Sequence, residues 1–163
     1  MSQLKDYLEI IDFQQKEFLK QESPMNADHI KGLYKEITKE QAPAWRIHDL
    51  PPVPGNRFPS PRDIPHLMEH FASQIQYSKG ALHPVELGAM AYKRIVDIAP
   101  FDADNEKLAQ AVMNQLLSRA GYPVLSLPLC DQTGYDEALL SSRLKKDMDI
   151  FSEFAAKILA KSI

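Results

Sequence analysis

Residues 82–127 read LHPVELGAMAYKRIVDIAPFDADNEKLAQAVMNQLLSRAGYPVLSL, and this stretch decides the fold. It divides into a helix, a tight loop, a second helix, a turn and a strand-like tail. Pro84 suits a first helical position, where its missing N–H would have no helical partner in any case. Val85, Ala89, Tyr92, Ile95 and Val96 recur at helical spacing and make one apolar face. Pro100 ends that helix. Near Asp104 a second helix begins, with Leu108, Ala111, Val112, Leu116 and Ala120 on one side. Arg119 lies in its last turn, Gly121 suits a left-handed closing position, and Pro123 cannot continue a helix.

With those residues laid out, the stretch resembles the Fic/Doc family. Its domains transfer a phosphate-containing group, usually AMP, onto protein hydroxyls. The family core reads roughly H-P-F-x-(D/E)-G-N-(G/K)-R-x-x-R between two helices, with an "HP" helix before it and "GYP" after it. His83-Pro84 opens the first helix here, Ile98-Ala99-Pro100-Phe101 stands where I-H-P-F would be, and Ala120-Gly121-Tyr122-Pro123 closes the unit. The resemblance covers roughly residues 26 to 160. It implies an all-α bundle of about seven helices with a small flap-like hairpin or loop, in one domain over 1–163. Within that domain, 1–25 is an N-terminal helix extension and 26–163 the core.

The centre of the motif departs from the family. The family's general base falls on Ala99 and its metal-binding acid on Ala103. The first motif glycine falls on Asp104, the asparagine is kept as Asn105, and Glu106, Lys107 and Gln110 fill the following positions. Loss of a positioned general base removes about 10²–10⁴ in rate. A helix N-terminus attracts anions, but Asp102, Asp104 and Glu106 face an incoming phosphate with only Lys107 against them. The expectation is a domain without a catalytic residue or cofactor. If nucleotide binding is retained, Asn105 and Lys107 would hold ATP, with Mg²⁺ on Asp102, Asp104 or Glu106. His48 and His83 are the candidates for a substitute base. The acidic loop lacks the remaining ligands of a calcium loop. A position seven residues before Ala99 often holds another histidine in the family. Here it is Tyr92, which the apolar stripe assigns to the core.

On the N-terminal side, residues 3 to 21 are amphipathic. A helix follows over 27–40, with Asn26 as its cap and Ile30, Leu33, Tyr34 and Ile37 inward. From 41 to 61 the chain is loop. Pro51, Pro52, Pro54, Pro59, Pro61 and Pro65 are six of the chain's twelve prolines, and Pro54-Gly55-Asn56 is a turn signal. In the family a β-hairpin flap lies here and holds the target segment by strand addition, which nominates Arg46, Asn56, Arg57 and Phe58 as partner contacts. The other reading is a rigid connector packed down by Trp45 and Phe58. Prolines favour it, because each removes a ladder donor. The helix over 62–77 contains His66-Leu67-Met68-Glu69-His70. The H-x-x-E-H order is that of a zinc peptidase, with Glu137 as a distant third ligand, against the plain reading of polar residues on a scaffold helix.

On the C-terminal side, Val124–Leu129 is apolar and reads as extended. Asp131 or Thr133 caps a helix over 135–145 with Ala138, Leu139 and Leu140 inward, and a last helix covers 147–161. Cys130, the only cysteine, reads as a small apolar filler. The family's inhibitory motif, (S/T)-x-x-x-E-(G/N), has no usable counterpart.

Hydrophobic residues make up 44% and charged residues 25% of the 163, the balance of a globular domain with a real core. A net charge of −3 argues against nucleic acid or an anionic membrane as partner. With no disulfide, signal peptide or membrane span legible, the expected location is cytoplasmic, and delivery as a secreted effector would leave no mark in these residues. The expected partner is an unidentified protein. Self-association, common in the family, is a further expectation. Three functions stand open: a degenerate Fic-like binding module or regulator acting through the former active cleft, which is preferred; a divergent transferase of AMP or another phosphate-containing group; and a metallopeptidase at His66, Glu69 and His70.

Overall fold

The structure, a computed structural model, describes Lys5, Leu8 and residues 24–163. Apart from Lys5 and Leu8, the helix expected over 3 to 21 lies outside the described residues. Those described form an all-α fold: α1 (Ala27–Thr38), α2 (Ile64–Ser78), α3 (Pro84–Ile98), α4 (Asn105–Arg119), α5 (Leu127–Cys130), α6 (Gln132–Lys145) and α7 (Met148–Ser162), with a short 3₁₀ turn at Pro61–Asp63 before α2. The α3–α4 pair is the centre. α2 and α7 pack on α3, α1 packs on α4, and α6 packs on α7. No described helix is long and apolar enough to cross a membrane.

Local chemistry sets the helix ends. Asn26 Oδ1 accepts from the His29 N–H at 2.8 Å and caps α1 as expected. His83 caps α3 through Nδ1, which accepts from the Val85 N–H at 3.1 Å, and Pro84 follows in the first turn. α4 ends in a Schellman closure: the Gly121 N–H reaches Ser118 O and the Tyr122 N–H reaches Leu117 O, with Gly121 at φ 87°, where a residue without Cβ carries no penalty. α3 and α4 meet closely at Gly88, where a Cβ would stand 3.1 Å from Met113 Cγ. Asp131 Oδ1 caps α6 by accepting from the Gly134 N–H at 2.9 Å.

The structure corrects several details. Residues 127–130 form a short helix rather than a continuation of an extended tail: Ser126 caps it and Pro128 sits in its first turn, where proline is tolerated. Cys130 at its end is exposed, not an interior filler. Leu140 is exposed while Ala138 is buried. Met25, just before the α1 cap, is buried with the core.

Candidate functional site: the loop between the central helices

The loop between α3 and α4 starts at Ala99. This residue closes α3 in the left-handed region, φ 49° and ψ 68°, and is 4% exposed. The position resembling the family's base thus carries a buried methyl group that neither accepts nor gives a proton. Asp104 also adopts left-handed backbone, φ 61° and ψ 25°. It occupies the position of the first motif glycine, and the aspartate side chain is one of the few that accept this conformation.

Asn105 holds the loop shut. Its Oδ1 accepts from the Phe101 N–H at 3.0 Å, and its Nδ2 donates to Phe101 O at 2.8 Å. The amide offered by the sequence as a phosphate ligand is therefore engaged with the loop's own backbone. Phe101 is buried and stacks on Tyr34, with centroids 3.6 Å apart, and meets the Trp45 ring at 5.1 Å. The Tyr34 hydroxyl donates to Ala103 O at 3.0 Å. Burial, with smaller effects from Glu40, Asp104 and Asp102, pushes its pKa up to about 12, so it remains a donor across the physiological range.

The three acids offered as alternatives for Mg²⁺ have different surroundings. Asp102 faces the His48 ring at 3.6 Å. Glu106 accepts from the Tyr135 hydroxyl at 3.3 Å, and that hydroxyl in turn accepts from buried Tyr92 at 3.0 Å. Asp104 is exposed. Among the described residues, no group of three or more His, Cys, Asp or Glu side chains is arranged to hold a metal ion. This applies equally to His66, Glu69, His70 and Glu137. Lys107 is exposed on the first turn of α4.

The 41–61 segment lies along this loop but is not a hairpin. Its pairing is reduced to one bridge, Val53 with Asn56, around the Pro54-Gly55 turn. Proline-rich flanks explain the lack of a longer ladder. Arg46, nominated as a partner contact, is 1% exposed. Its Nε donates to Ala99 O at 2.6 Å, and its terminal nitrogens donate to the carbonyls of His48, Pro59 and Ile98. The Arg46 N–H donates to Pro100 O as well. An α-helix leaves its last carbonyls unpaired, and here a guanidinium from another segment satisfies them. Asn56 Nδ2 donates to Asp97 O at 3.1 Å, while the Asp97 carboxylate is paired with Lys93 and Arg143. Phe58 is half-buried. Of the four nominated contacts, only Arg57 is exposed, and it is joined by Ile47, at 78% exposure a residue that the sequence does not single out.

The two candidate substitute bases separate. His83 caps the far end of α3, roughly 24 Å from Ala99 at 1.5 Å per helical residue, and its Nε2 lies 3.2 Å from the Tyr122 hydroxyl. It is corrected to a structural residue. His48 stays beside the loop through its contact with Asp102.

Comparison with known proteins accords with this frame. The Fic/DOC family profile matches residues 24–117. Among curated relatives, a protein adenylyltransferase Fic from Drosophila willistoni is 35% identical over 115 residues, covering 68% of this chain and 22% of the relative. The corresponding protein of Aedes aegypti is 43% identical over 72 residues, 44% of this chain and 14% of its own length. This chain therefore spans less than a quarter of these relatives. Among solved structures, Fic-1 from C. elegans superposes with a TM-score of 0.78 at 19% identity, over 94% of this chain and 46% of that one. A Fic domain containing signaling protein from Bacteroides thetaiotaomicron gives 0.73 at 22% identity, over 98% and 69%. IbpAFic2, solved covalently tethered to Cdc42, gives 0.68 at 20% identity, over 94% and 52%. The family match runs from the start of α1 into α4, the helical frame carries the structural one, and the chain belongs to the Fic/DOC family.

Proposed function

We propose that this Fic-family domain does not transfer AMP and acts by binding a protein partner at the face between the 47–58 and 101–107 loops. The observation that carries this reading is Ala99: a buried methyl group at the position of the family's base. Further support comes from Asn105, whose amide is spent on Phe101, and from the divergent acids of the loop. A protein partner is the natural class, since a solved relative is tethered to one. No nucleotide cofactor is part of this function. The test is incubation of the purified chain with α-labelled ATP, Mg²⁺ and candidate protein acceptors. No label should move, and partner retention should fall in Ile47→Asp and Arg57→Ala. Transfer of label, or retention indifferent to both substitutions, contradicts the proposal.

A second reading, a transferase with a relocated base, is favoured by His48, which faces Asp102 across the mouth of the loop. It predicts label transfer that His48→Ala abolishes and that Arg57→Ala leaves chemically competent.

A further inference from the structure

We infer that His66 and His70 form a two-ligand site for a late first-row divalent metal ion on the outer face of α2. The chain has five histidines, and the fold engages three of their rings. His29 Nε2 meets Gln115 Oε1 at 2.7 Å. His48 faces Asp102. His83 caps α3 and meets Tyr122. The remaining two, His66 and His70, are both exposed, and among the described residues neither ring has a hydrogen bond or ion pair.

Their placement is that of a chelate. Positions i and i+4 of a helix lie on one face, with Cβ atoms about 5–6 Å apart. The spacing is held by a rigid scaffold: Ile64, Met68, Phe71 and Ile75 anchor the opposite side of α2 at 0% exposure. The backbone is then already ordered, and binding costs only the rotamer freedom of the two rings. Imidazole suits copper, nickel and zinc but not magnesium. Asp63 and Glu69 lie close in sequence and offset the positive end of the helix dipole and Arg62. Among the described residues no third side chain completes the set, so the remaining positions fall to water or an external donor. This separates the site from a closed structural zinc centre and from a peptidase, both of which need more protein ligands. The proposal does not rest on the reading of the α3–α4 loop.

The test is calorimetric titration of the full chain with Cu²⁺, Ni²⁺, Zn²⁺ and Mg²⁺ at neutral pH in a non-coordinating buffer. We expect one ion per chain, copper tightest and magnesium silent. His66→Ala and His70→Ala should each weaken binding by at least about tenfold, while His29→Gln and His83→Ala leave it unchanged. Alanine is the best helix former, so neither α2 variant threatens the fold, and circular dichroism checks this. The Cu²⁺ resonance spectrum should show two nitrogen ligands, falling to one in either variant. Binding that survives His70→Ala unaltered, that follows His83, or that is lacking for copper at millimolar metal overturns the proposal.

Discussion

Arg46 Nε donates to the carbonyl oxygen of Ala99 at 2.6 Å, so a buried guanidinium from the proline-rich segment closes the C-terminus of the central helix α3. The same side chain reaches the carbonyls of His48, Pro59 and Ile98. Arg46→Ala would leave these carbonyls without a donor. Hydrogen bonds from a charged group contribute about 1.5–3 kcal/mol each, and a total loss of about 3 kcal/mol or more is expected. For a chain of this size that lowers Tm by roughly 6–12 °C. Arg46→Lys keeps the charge but not the fork geometry, and should recover less than half. Thermal unfolding checks both. A shift below about 2 °C for Arg46→Ala contradicts the role.

Asn105 tests whether the motif loop is held by its own asparagine. Asn105→Ala removes both bonds to Phe101 and should cost about 1–3 kcal/mol. Asn105→Asp keeps the acceptor for the Phe101 N–H but turns an oxygen toward Phe101 O, and should retain no more than part of that stability. If Asn105→Ala unfolds like the parent chain in urea, the clamp has no energetic weight.

Two glycines separate crowding from backbone strain. Gly55, at φ 80°, would bring a Cβ to 2.9 Å from both Arg143 Cβ and Leu144 N, whereas Gly121, at φ 87°, faces open space. Gly121→Ala should cost only the left-handed strain, about 1–2 kcal/mol. Gly55→Ala adds a clash that moves the turn off α6, and should cost about 1–3 kcal/mol beyond that. Equal Tm losses in the two variants would show that the turn does not bear on α6.

Much of this architecture was legible. The apolar stripes gave α1, α2, α3, α4, α6 and α7 to within two or three residues, because each buries one face at helical period. Tyr92 read as core and is fully buried. Asn26, Gly121 and Asp131 announced their ends through side-chain chemistry that acts within four residues. The burial of Arg46 has no local mark in a proline-rich loop, because its partners lie up to 53 residues away. Pro128 carries no clear sign in the sequence, since proline stands both after helices and, as here, in their first turn. His83 offered a capping signal only in retrospect, as imidazole is an uncommon cap. At the site, the family resemblance pointed to the loop between α3 and α4. The residues there did not reveal that Asn105 would be occupied by Phe101, or that Asp102 and Glu106 would turn to different neighbours.

His29 gives the fold a pH dependence. Burial lowers its pKa most, Arg119 lowers it further, and the hydrogen bond to Gln115 partly opposes both. The folded value therefore lies below the unfolded one, about 6.5. The unfolded chain binds more protons in the interval between the two, so stability falls as pH drops through and below about 6.5. His29→Gln should lose less Tm between pH 7 and pH 5 than the parent. Parallel curves would assign the acid sensitivity to other groups.

The central claim is that the loop over 99–107 no longer handles nucleotide. Calorimetric titration of the purified chain with ATP and Mg²⁺, beside Lys107→Ala, tests it most directly. The expected result is no saturable heat at millimolar nucleotide in either protein. Saturable binding in the parent that Lys107→Ala abolishes would contradict the account and make Lys107 a working phosphate ligand.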